Sequence, residues 1–267
     1  HLLGFDNPRK ALLTTVKEAV DNALDACEEA GMLPDLFIGI EQLAETRFRV
    51  TIRDNGPGIV KSQVANIFGK LLYGSKFHRL KMSRGQQGIG IAAAGMYALM
   101  TTGKPMVIHT KPSKSKPSHC ITLAIDTQKN KADISDEVER HDFPSDTGTE
   151  VVLELEGRYN RGRQSVDEYL EQTAIANPHA RIIYQPPTAC QPPKDAGDNG
   201  EADYDVPTLI DDLAEAKRIA AEATGTTTTA GGTVVFPRTV HELPPDTKEI
   251  KPHPDGVELG TLMKMLK

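Results

Sequence analysis

The sequence has no tryptophan, only three cysteines and no apolar run of membrane-spanning length. A transmembrane helix needs about 20 consecutive, mostly apolar residues, so the sequence predicts no membrane partner. Cys27, Cys120 and Cys190 are far apart and form no Cys-x-x-Cys pair, which argues against a zinc site and against a disulfide framework. We therefore expect a protein of the reducing cytoplasm.

Acidic residues are missing from one long stretch of an otherwise acidic chain. The 267 residues carry a formal net charge of −6, yet no Asp or Glu occurs between Asn55 and Ile125. The basic residues of this stretch are Lys61, Lys70, Lys76, Arg79, Lys81, Arg84, Lys104, Lys111, Lys114 and Lys116. Such segregation favours contact with a polyanion, with chance clustering as the alternative.

Residues 12–27 have the spacing of an amphipathic helix. Its apolar positions are Leu13, Val16, Val20, Leu24 and Cys27. Glu18, Asn22 and Asp25 stand at i, i+4 and i+7, so they share one polar stripe. A carboxylate and an amide one turn apart can serve as a general base and a metal ligand. The alternative interpretation is a solvated helix face.

A carboxylate follows the predicted strand 47–53. Side chains alternate along a strand, and this alternation places Asp54 on the apolar side with Ile52. A buried carboxylate needs hydrogen-bond donors, so we expect Asp54 to find them. Gly56 and Gly58 follow, and their backbone can turn sharply and approach a ligand closely. An ordinary hairpin turn is the alternative.

Glycines also precede the second long helix, predicted at 91–100. The segment is Arg84-Gly85-Gln86-Gln87-Gly88-Ile89-Gly90. Backbone N–H groups at such a helix start converge on anions, and the helix dipole adds to the attraction. The segment lacks the P-loop pattern, and no strand leads into it as a dinucleotide-binding fold requires. It predicts a phosphate-binding loop, with a flexible loop as the alternative.

The remaining chain predicts further strands, two more helices and a change of composition. Strands are expected at 36–43, 105–110, 119–126, 130–135, 149–155 and 180–184, and helices at 60–72 and 165–175. Thr149 is the polar member of a core face at a strand start, although threonine is also an ordinary strand residue.

Three domains are predicted from this pattern. Residues 1–185 form the first, and the Pro- and Gly-rich residues 186–232 form a flexible insertion with a short helix at 209–220. Residues 233–267 form a connector and the start of a helical domain.

The order of these motifs resembles the ATP-binding fold of gyrase-type topoisomerases, mismatch-repair ATPases, histidine kinases and certain chaperones. The motifs are Glu18 with Asn22, Asp54-x-Gly56-x-Gly58, Gly85-x-x-Gly88-x-Gly90 and Gly148-Thr149. The resemblance covers residues 2–184. It implies an α+β, Bergerat-type fold: a two-layer α/β sandwich in which helices cover one face of a mixed, mostly antiparallel sheet.

Longer matches resemble the B subunits of the type IIB enzymes called DNA topoisomerase VI. They are residues 4–10, 18–25, 73–77 and 84–90, with 251–254 and 257–260 similar to the start of a helix-two-turn-helix domain. The resemblance implies an ATP-dependent homodimer of B subunits that drives the passage of double-stranded DNA. It also implies a DNA-cleaving A subunit as partner, an A2B2 complex and a nucleoid-associated, cytoplasmic location.

The resemblance assigns roles to single residues. Glu18 would deprotonate the attacking water, and Asn22 would ligate the Mg²⁺ that accompanies ATP. Asp54 would accept the adenine amino group, supported by Thr149. The other implied ATP-binding residues are Gly56, Gly58, Ser75, Lys76, Arg84, Gly85, Gln86, Gln87, Gly88, Ile89 and Gly90, and residues 70–84 would form a lid.

Two departures and two alternatives accompany this resemblance. Residues 186–232 are an insertion that we do not associate with the family. Its exchange arm and its transducer domain, which supplies a lysine to the γ-phosphate, fall outside the chain, so we expect slow hydrolysis by this chain alone. The main alternative is a non-hydrolysing nucleotide-binding clamp or scaffold, which would not need Glu18. A histidine kinase domain is disfavoured by the segment at Arg84 and by the helix-two-turn-helix start.

Overall fold

A long mixed sheet backed by helices forms the part of the chain that the computed structural model describes, which is residues 5, 7–69, 84, 89–126, 131–188, 225–229 and 232–245. The helices of these residues are α1 (Pro8–Glu29), α2 (Lys61–Gly69), α3 (Gly90–Thr102) and α4 (Val166–Ala176). The strands are β1 (Asp35–Ala44), β2 (Arg47–Arg53), β3 (Met106–Lys111), β4 (Ser118–Asp126), β5 (Lys131–Arg140), β6 (Gly148–Glu156), β7 (Arg181–Gln185), β8 (Thr227–Thr228) and β9 (Val234–Phe236).

The order of strands in the sheet is β5-β4-β3-β6-β2-β1-β7-β9-β8. Only β1 and β7 run parallel among these neighbours, and the other pairs are antiparallel. The predicted mixed, mostly antiparallel sheet is therefore confirmed. Because Arg53 of β2 pairs with Glu150 of β6, the end of β2 lies beside the start of β6. This register brings Asp54 next to Thr149.

One face of the sheet is apolar and packs against the helices. In β2 the inward side chains of Phe48, Val50 and Ile52 are buried, and α1, α3 and α4 contribute buried side chains to the same core. Alternation of side chains along the strand produces this single apolar face. The α+β, two-layer arrangement predicted from the motifs is thus confirmed.

The opposite face of β2 and β6 carries paired charges. Glu154 accepts hydrogen bonds from Arg47 and Arg49, each at 2.9 Å, and Glu150 accepts one from Arg53 at 3.1 Å. These residues occupy the outward positions of the alternation that buries Phe48 and its neighbours. These pairs are partly buried, with the Glu150 and Glu154 side chains 19% exposed, and the cost of desolvation offsets much of their attraction, so they favour the strand register more than they stabilise the fold.

Most predicted elements are present, and the differences have physical reasons. The edge strand expected at 130–135 is longer in the structure and ends at Arg140. Exposed edge strands carry charged residues, and these conceal the alternation of apolar and polar residues from which a strand is predicted. Strands β8 and β9 were not predicted, since short segments become strands only by pairing with β7 or with each other.

Some sequence-based predictions fall outside the described residues. These include the helix at 209–220 and the start of the helix-two-turn-helix domain, so the three-domain division stays a prediction. Among the helices that the structure describes, none is long and apolar enough to span a membrane.

The pairing of β9 with β7 predicts that the residues between Thr188 and Gly225 can be shortened. Replacing 189–224 by about ten Gly/Ser residues should change the melting temperature by less than about 4 °C, because Tyr184 and Val234 remain paired. Calorimetry on the 267-residue chain measures this. Val235→Pro is the control that should lower the melting temperature, since β9 lies between two strands and loses a ladder bond. A large fall in the melting temperature of the shortened chain would instead indicate that residues 189–224 contribute to the core.

Candidate functional site

Asp54 is a buried carboxylate with donors on one oxygen. It is 9% exposed, and its Oδ1 accepts the backbone N–H groups of Gly56 at 2.8 Å and Thr149 at 3.2 Å. Its Oδ2 accepts no hydrogen bond from the described part of the chain. Burial raises the pKa of Asp54 to about 6 despite the two N–H donors. The prediction that Asp54 faces the apolar side and finds donors is confirmed.

The side-chain amide of Asn55 fixes the turn that follows Asp54. Its Oδ1 accepts the Asp35 N–H at 2.8 Å and the Cys27 S–H at 3.6 Å, and its Nδ2 donates to the Leu33 carbonyl at 3.1 Å. The amide thereby ties the turn to α1 and to the connection between α1 and β1. Burial is also the main reason that the pKa of Cys27 is raised above its ordinary value, so this thiol packs and donates rather than reacts.

Two glycines let three backbone segments meet beside Asp54. A Cβ on Gly58 would lie 2.2 Å from the Lys111 carbonyl oxygen, and a Cβ on Gly148 would lie 2.1 Å from that of Asp54. Both glycines also have positive φ, at +68° and +149°, where a side chain is strained. The turn after β2 therefore packs directly on the end of β3 and the start of β6.

Thr110 is a member of this group that the sequence did not indicate. Its buried Oγ1 accepts the Ile59 N–H at 2.8 Å and lies 3.2 Å from both the Gly148 carbonyl oxygen and the Thr149 Oγ1. The Thr149 N–H also donates to Asp54 Oδ1, and the Thr149 carbonyl oxygen accepts the Asp54 N–H. Thr110 thus holds Thr149 in place, and its only sequence signal is a threonine at an inward strand position.

Glu18 lies against the first residue of α3. A Cβ on Gly90 would lie 1.8 Å from Glu18 Oε2, so a side chain at this position would displace the carboxylate. Burial is the main cause of a raised Glu18 pKa, with Lys17 opposing it and Asp21 adding to it. A half-buried carboxylate with a raised pKa is suited to general-base chemistry. Asn22 is exposed one turn further along α1.

The guanidinium of Arg84 is bound to acidic residues of α1. It donates to Asp25 Oδ1 at 3.0 Å, to Glu28 Oε2 at 2.8 Å and to Glu28 Oε1 at 2.9 Å. It also donates to Asn177 Oδ1, and His179 Nε2 lies 2.7 Å from Glu28 Oε1. The sequence grouped Arg84 with the glycines that follow it, and its role as an ATP contact stays a prediction.

The structure thus brings the predicted residues together in two groups along α1. The first group is Asp54, Gly56, Gly58 and Thr149, and the second is Glu18, Asn22, Ile89 and Gly90. Ile89 accepts the Ala93 N–H at the start of α3. The predicted residues that fall outside the described part of the chain are Ser75, Lys76, Gly85, Gln86, Gln87 and Gly88.

Helix α1 connects the two groups. Cys27 contacts the turn at Gly56, and Glu18 contacts Gly90. Cys27 follows Glu18 by nine positions, which on a helix correspond to about 14 Å along its axis. The arrangement therefore offers a hydrogen-bond acceptor at one end and a helix N-terminus, which attracts anions, at the other.

Comparison with known proteins agrees with this geometry. The family model described as "Histidine kinase-, DNA gyrase B-, and HSP90-like ATPase" matches residues 7–156. The chain belongs to this ATPase family. The match includes α1, the turn after β2, the start of α3 and Thr149, which are the elements that build both groups.

The chain is also similar over nearly its whole length to proteins named as the B subunits of type 2 DNA topoisomerase 6. That of Methanosarcina barkeri is 46% identical over 99% of this chain and 36% of its own length, and that of Archaeoglobus fulgidus is 44% identical over 100% and 37%. The chain spans about a third of the length of these relatives. Among solved structures, the N-terminal domain of a DNA repair protein is similar with a TM-score of 0.42 and 16% identity, covering 64% of this chain and 46% of that chain.

We predict that the ionised carboxylate of Asp54 destabilises the folded, ligand-free protein at neutral pH. Its pKa of about 6, against 3.8 for the free side chain, means that ionisation costs the folded state about 3 kcal/mol. Asn can accept the same two N–H groups without this charge. Asp54→Asn should therefore raise the free energy of unfolding at pH 7.5 by about 1–3 kcal/mol, measured by urea unfolding.

The pH dependence supplies the control for this prediction. The folded state binds the proton more tightly, so wild-type stability from this group falls as the pH rises from about 4 to about 6. The advantage of the Asn variant should therefore be small near pH 4, increase as the pH rises and become constant above about pH 7. An equal advantage at both pH values would contradict the assigned cost of the charge.

Proposed function

We propose that this chain binds Mg-ATP and serves as the ATP-hydrolysing dimerisation gate of a type IIB DNA topoisomerase. The observation that carries the proposal is the geometry of Asp54, whose Oδ1 is fixed by two backbone donors while Oδ2 has no described partner. A buried carboxylate held in this way selects a ligand that brings its own N–H donor. The exocyclic amino group of adenine is such a donor.

The neighbouring residues support a planar base at this position. The close backbone approaches at Gly58 and Gly148 pack the turn on the ends of β3 and β6, and the Asn55 amide fixes it. Thr149 supports Asp54 through its N–H, and Thr110 supports Thr149. In this proposal Asp54 accepts the adenine amino group, and the turn that Gly56 and Gly58 allow holds the carboxylate in position.

In this proposal the phosphates of ATP bind at the start of α3. The N-terminus of a helix presents unpaired N–H groups and the positive end of the dipole, and Gly90 stands there beside Glu18. Mg²⁺ prefers a few oxygen ligands together with phosphates and water. The amide oxygen of Asn22 fits this preference, and the bound ion would neutralise phosphate charge.

Glu18 is the general base of this proposal. Its carboxylate lies at the start of α3, where the terminal phosphate would be bound, and its raised pKa brings proton affinity closer to neutral pH. It would accept a proton from the water that attacks the phosphate. A scaffold that only binds nucleotide has no use for such a base, so Glu18 favours hydrolysis over the clamp alternative.

The wider activity is supported by the relatives, which are named as subunits of a type 2 topoisomerase. We propose that ATP binding closes two copies of the chain into a homodimer. This gate would work with a DNA-cleaving A subunit in an A2B2 complex, so that one double-stranded DNA passes through another. Residues 251–260 would begin the helix-two-turn-helix domain that follows.

Asp54→Asn is expected to abolish ATP binding while the fold survives. The amide introduced at position 54 would present donors to the donor group of adenine, so calorimetry with Mg-ATP should show affinity at least about 100-fold weaker. Asp133→Asn, on the exposed strand β5, is a control that should bind normally. Wild-type affinity in the Asp54 variant would remove the adenine assignment.

Substitutions of Glu18 and Asn22 should affect different steps, ATP hydrolysis in the first case and Mg-ATP binding in the second. Glu18→Gln keeps the hydrogen-bonding reach and removes the base, so ATP should bind and dimerise the protein while turnover falls by roughly 10²–10⁴. Asn22→Ala removes the proposed Mg²⁺ ligand and should weaken Mg-ATP binding itself.

Binding for this experiment is measured in the 267-residue chain. Turnover and relaxation of supercoiled DNA are measured in a chain of the relatives' full length together with an A subunit. Loss of ATP binding in Glu18→Gln, or normal Mg-ATP binding in Asn22→Ala, would contradict the assigned roles. Unchanged turnover in Glu18→Gln would favour another base.

A further inference from the structure

The polar cluster around Arg84 lies at the N-terminal end of the glycine-rich segment 84–90. We propose that Glu28 is a positioning residue that, together with Asp25, Asn177 and His179, anchors Arg84 and thereby sets the phosphate-binding affinity of the site. This inference rests on the proposed binding of ATP. It assigns Arg84 an anchoring role instead of a direct phosphate contact.

Glu28 holds Arg84 with both carboxylate oxygens. The two terminal nitrogens of Arg84 donate to Oε2 at 2.8 Å and to Oε1 at 2.9 Å, which is the bidentate geometry that fixes a guanidinium in orientation as well as position. His179 lies 2.7 Å from Oε1 through Nε2. Glu28 is therefore itself held by a second side chain.

The charge balance of the cluster disfavours release of Arg84 toward a ligand. Asp25 and Glu28 both form ion pairs with Arg84, and Glu28 also lies 2.7 Å from His179 Nε2. Their side chains are only 10% and 20% exposed, so water screens them weakly. Withdrawing Arg84 would leave two largely buried acids close together without its charge, which is strongly unfavourable.

The partners of Arg84 belong to rigid parts of the fold. Asp25 and Glu28 are on α1, and Asn177 ends α4, where its own amide donates to the Thr173 carbonyl. The Ala180 N–H donates to the Asn177 carbonyl, which fixes the turn between α4 and β7. Arg84 is thus fastened to two elements of the core at once.

Both ends of the segment 84–90 meet the same stripe of α1. Arg84 binds Asp25, and Gly90 packs on Glu18. Asp25 follows Glu18 by seven positions, which is about 10 Å along the helix, and Asn22 lies between them. The two described ends of the segment, Arg84 and Gly90, are thus both held beside the residues proposed to act on the phosphates and Mg²⁺.

The test compares two glutamates of nearly equal exposure. Glu28→Gln removes one charge from the Arg84 cluster, and Glu154→Gln removes one from the Arg47 and Arg49 pairs on the opposite sheet face, with side chains 20% and 19% exposed. Calorimetry on the 267-residue chain should show Mg-ATP affinity about tenfold weaker for Glu28→Gln, the worth of a charged hydrogen bond. Glu154→Gln should bind as the wild type does.

Adenosine separates positioning from general loosening of the fold. It contains the base but no phosphate, so its affinity, measured by competition, should stay within about twofold in Glu28→Gln. An equal loss for adenosine and ATP would show that the cluster merely stabilises the fold. That result, or unchanged ATP affinity in Glu28→Gln, would overturn the inference.

A double-mutant cycle shows whether Glu28 acts through Arg84. If it does, the variant carrying Glu28→Gln and Arg84→Gln should bind Mg-ATP no more weakly than Arg84→Gln alone. Additive losses would contradict the anchoring role. Absence of ATP binding by the wild-type chain would instead contradict the proposed function, so the two failures are distinguishable.

Discussion

The hydrogen bond from the Thr149 N–H to Asp54 Oδ1 is the contact on which the arrangement of the site depends. It exists because β2 and β6 are antiparallel neighbours in a register that ends one strand where the other begins. Asp54 belongs to a turn and Thr149 to a strand far along the chain, and each satisfies a polar group of the other. The sheet therefore does more than support the site, since its register creates the acceptor geometry at Asp54.

Helix α1 is the second common element, because one helix serves several contacts at once. Its apolar face packs on the sheet, while its polar stripe meets Gly90 near the middle and Arg84 toward the end. Cys27, on the last turns, reaches the Asn55 amide. A small rotation of α1 would therefore move both residue groups of the site together.

Local patterns in the sequence were enough for part of this arrangement. The period of residues 12–27 predicted α1, and the alternation in β2 predicted the inward direction of Asp54, because both depend on neighbours in the chain. Thr110, Asn55 and Glu28 could not be found in this way. Their importance comes from partners that the fold brings together, such as Glu28 with His179, and no local pattern encodes such a pair. The family resemblance assigned roles to Asp54 and Glu18, which stay predictions, and it assigned Arg84 a role only through its sequence neighbours.

The paired charges on the outer face of β2 and β6 have a consequence for contact with nucleic acid. Affinity for DNA arises largely when basic side chains displace condensed cations from phosphates and so release them into solution. Arg47, Arg49 and Arg53 already have carboxylates as fixed counterions, so a phosphate would have to displace Glu150 or Glu154 first. The net gain from such an exchange is small. This face of the sheet is thus electrostatically self-neutralised, and its three arginines attract phosphates less than unpaired arginines would.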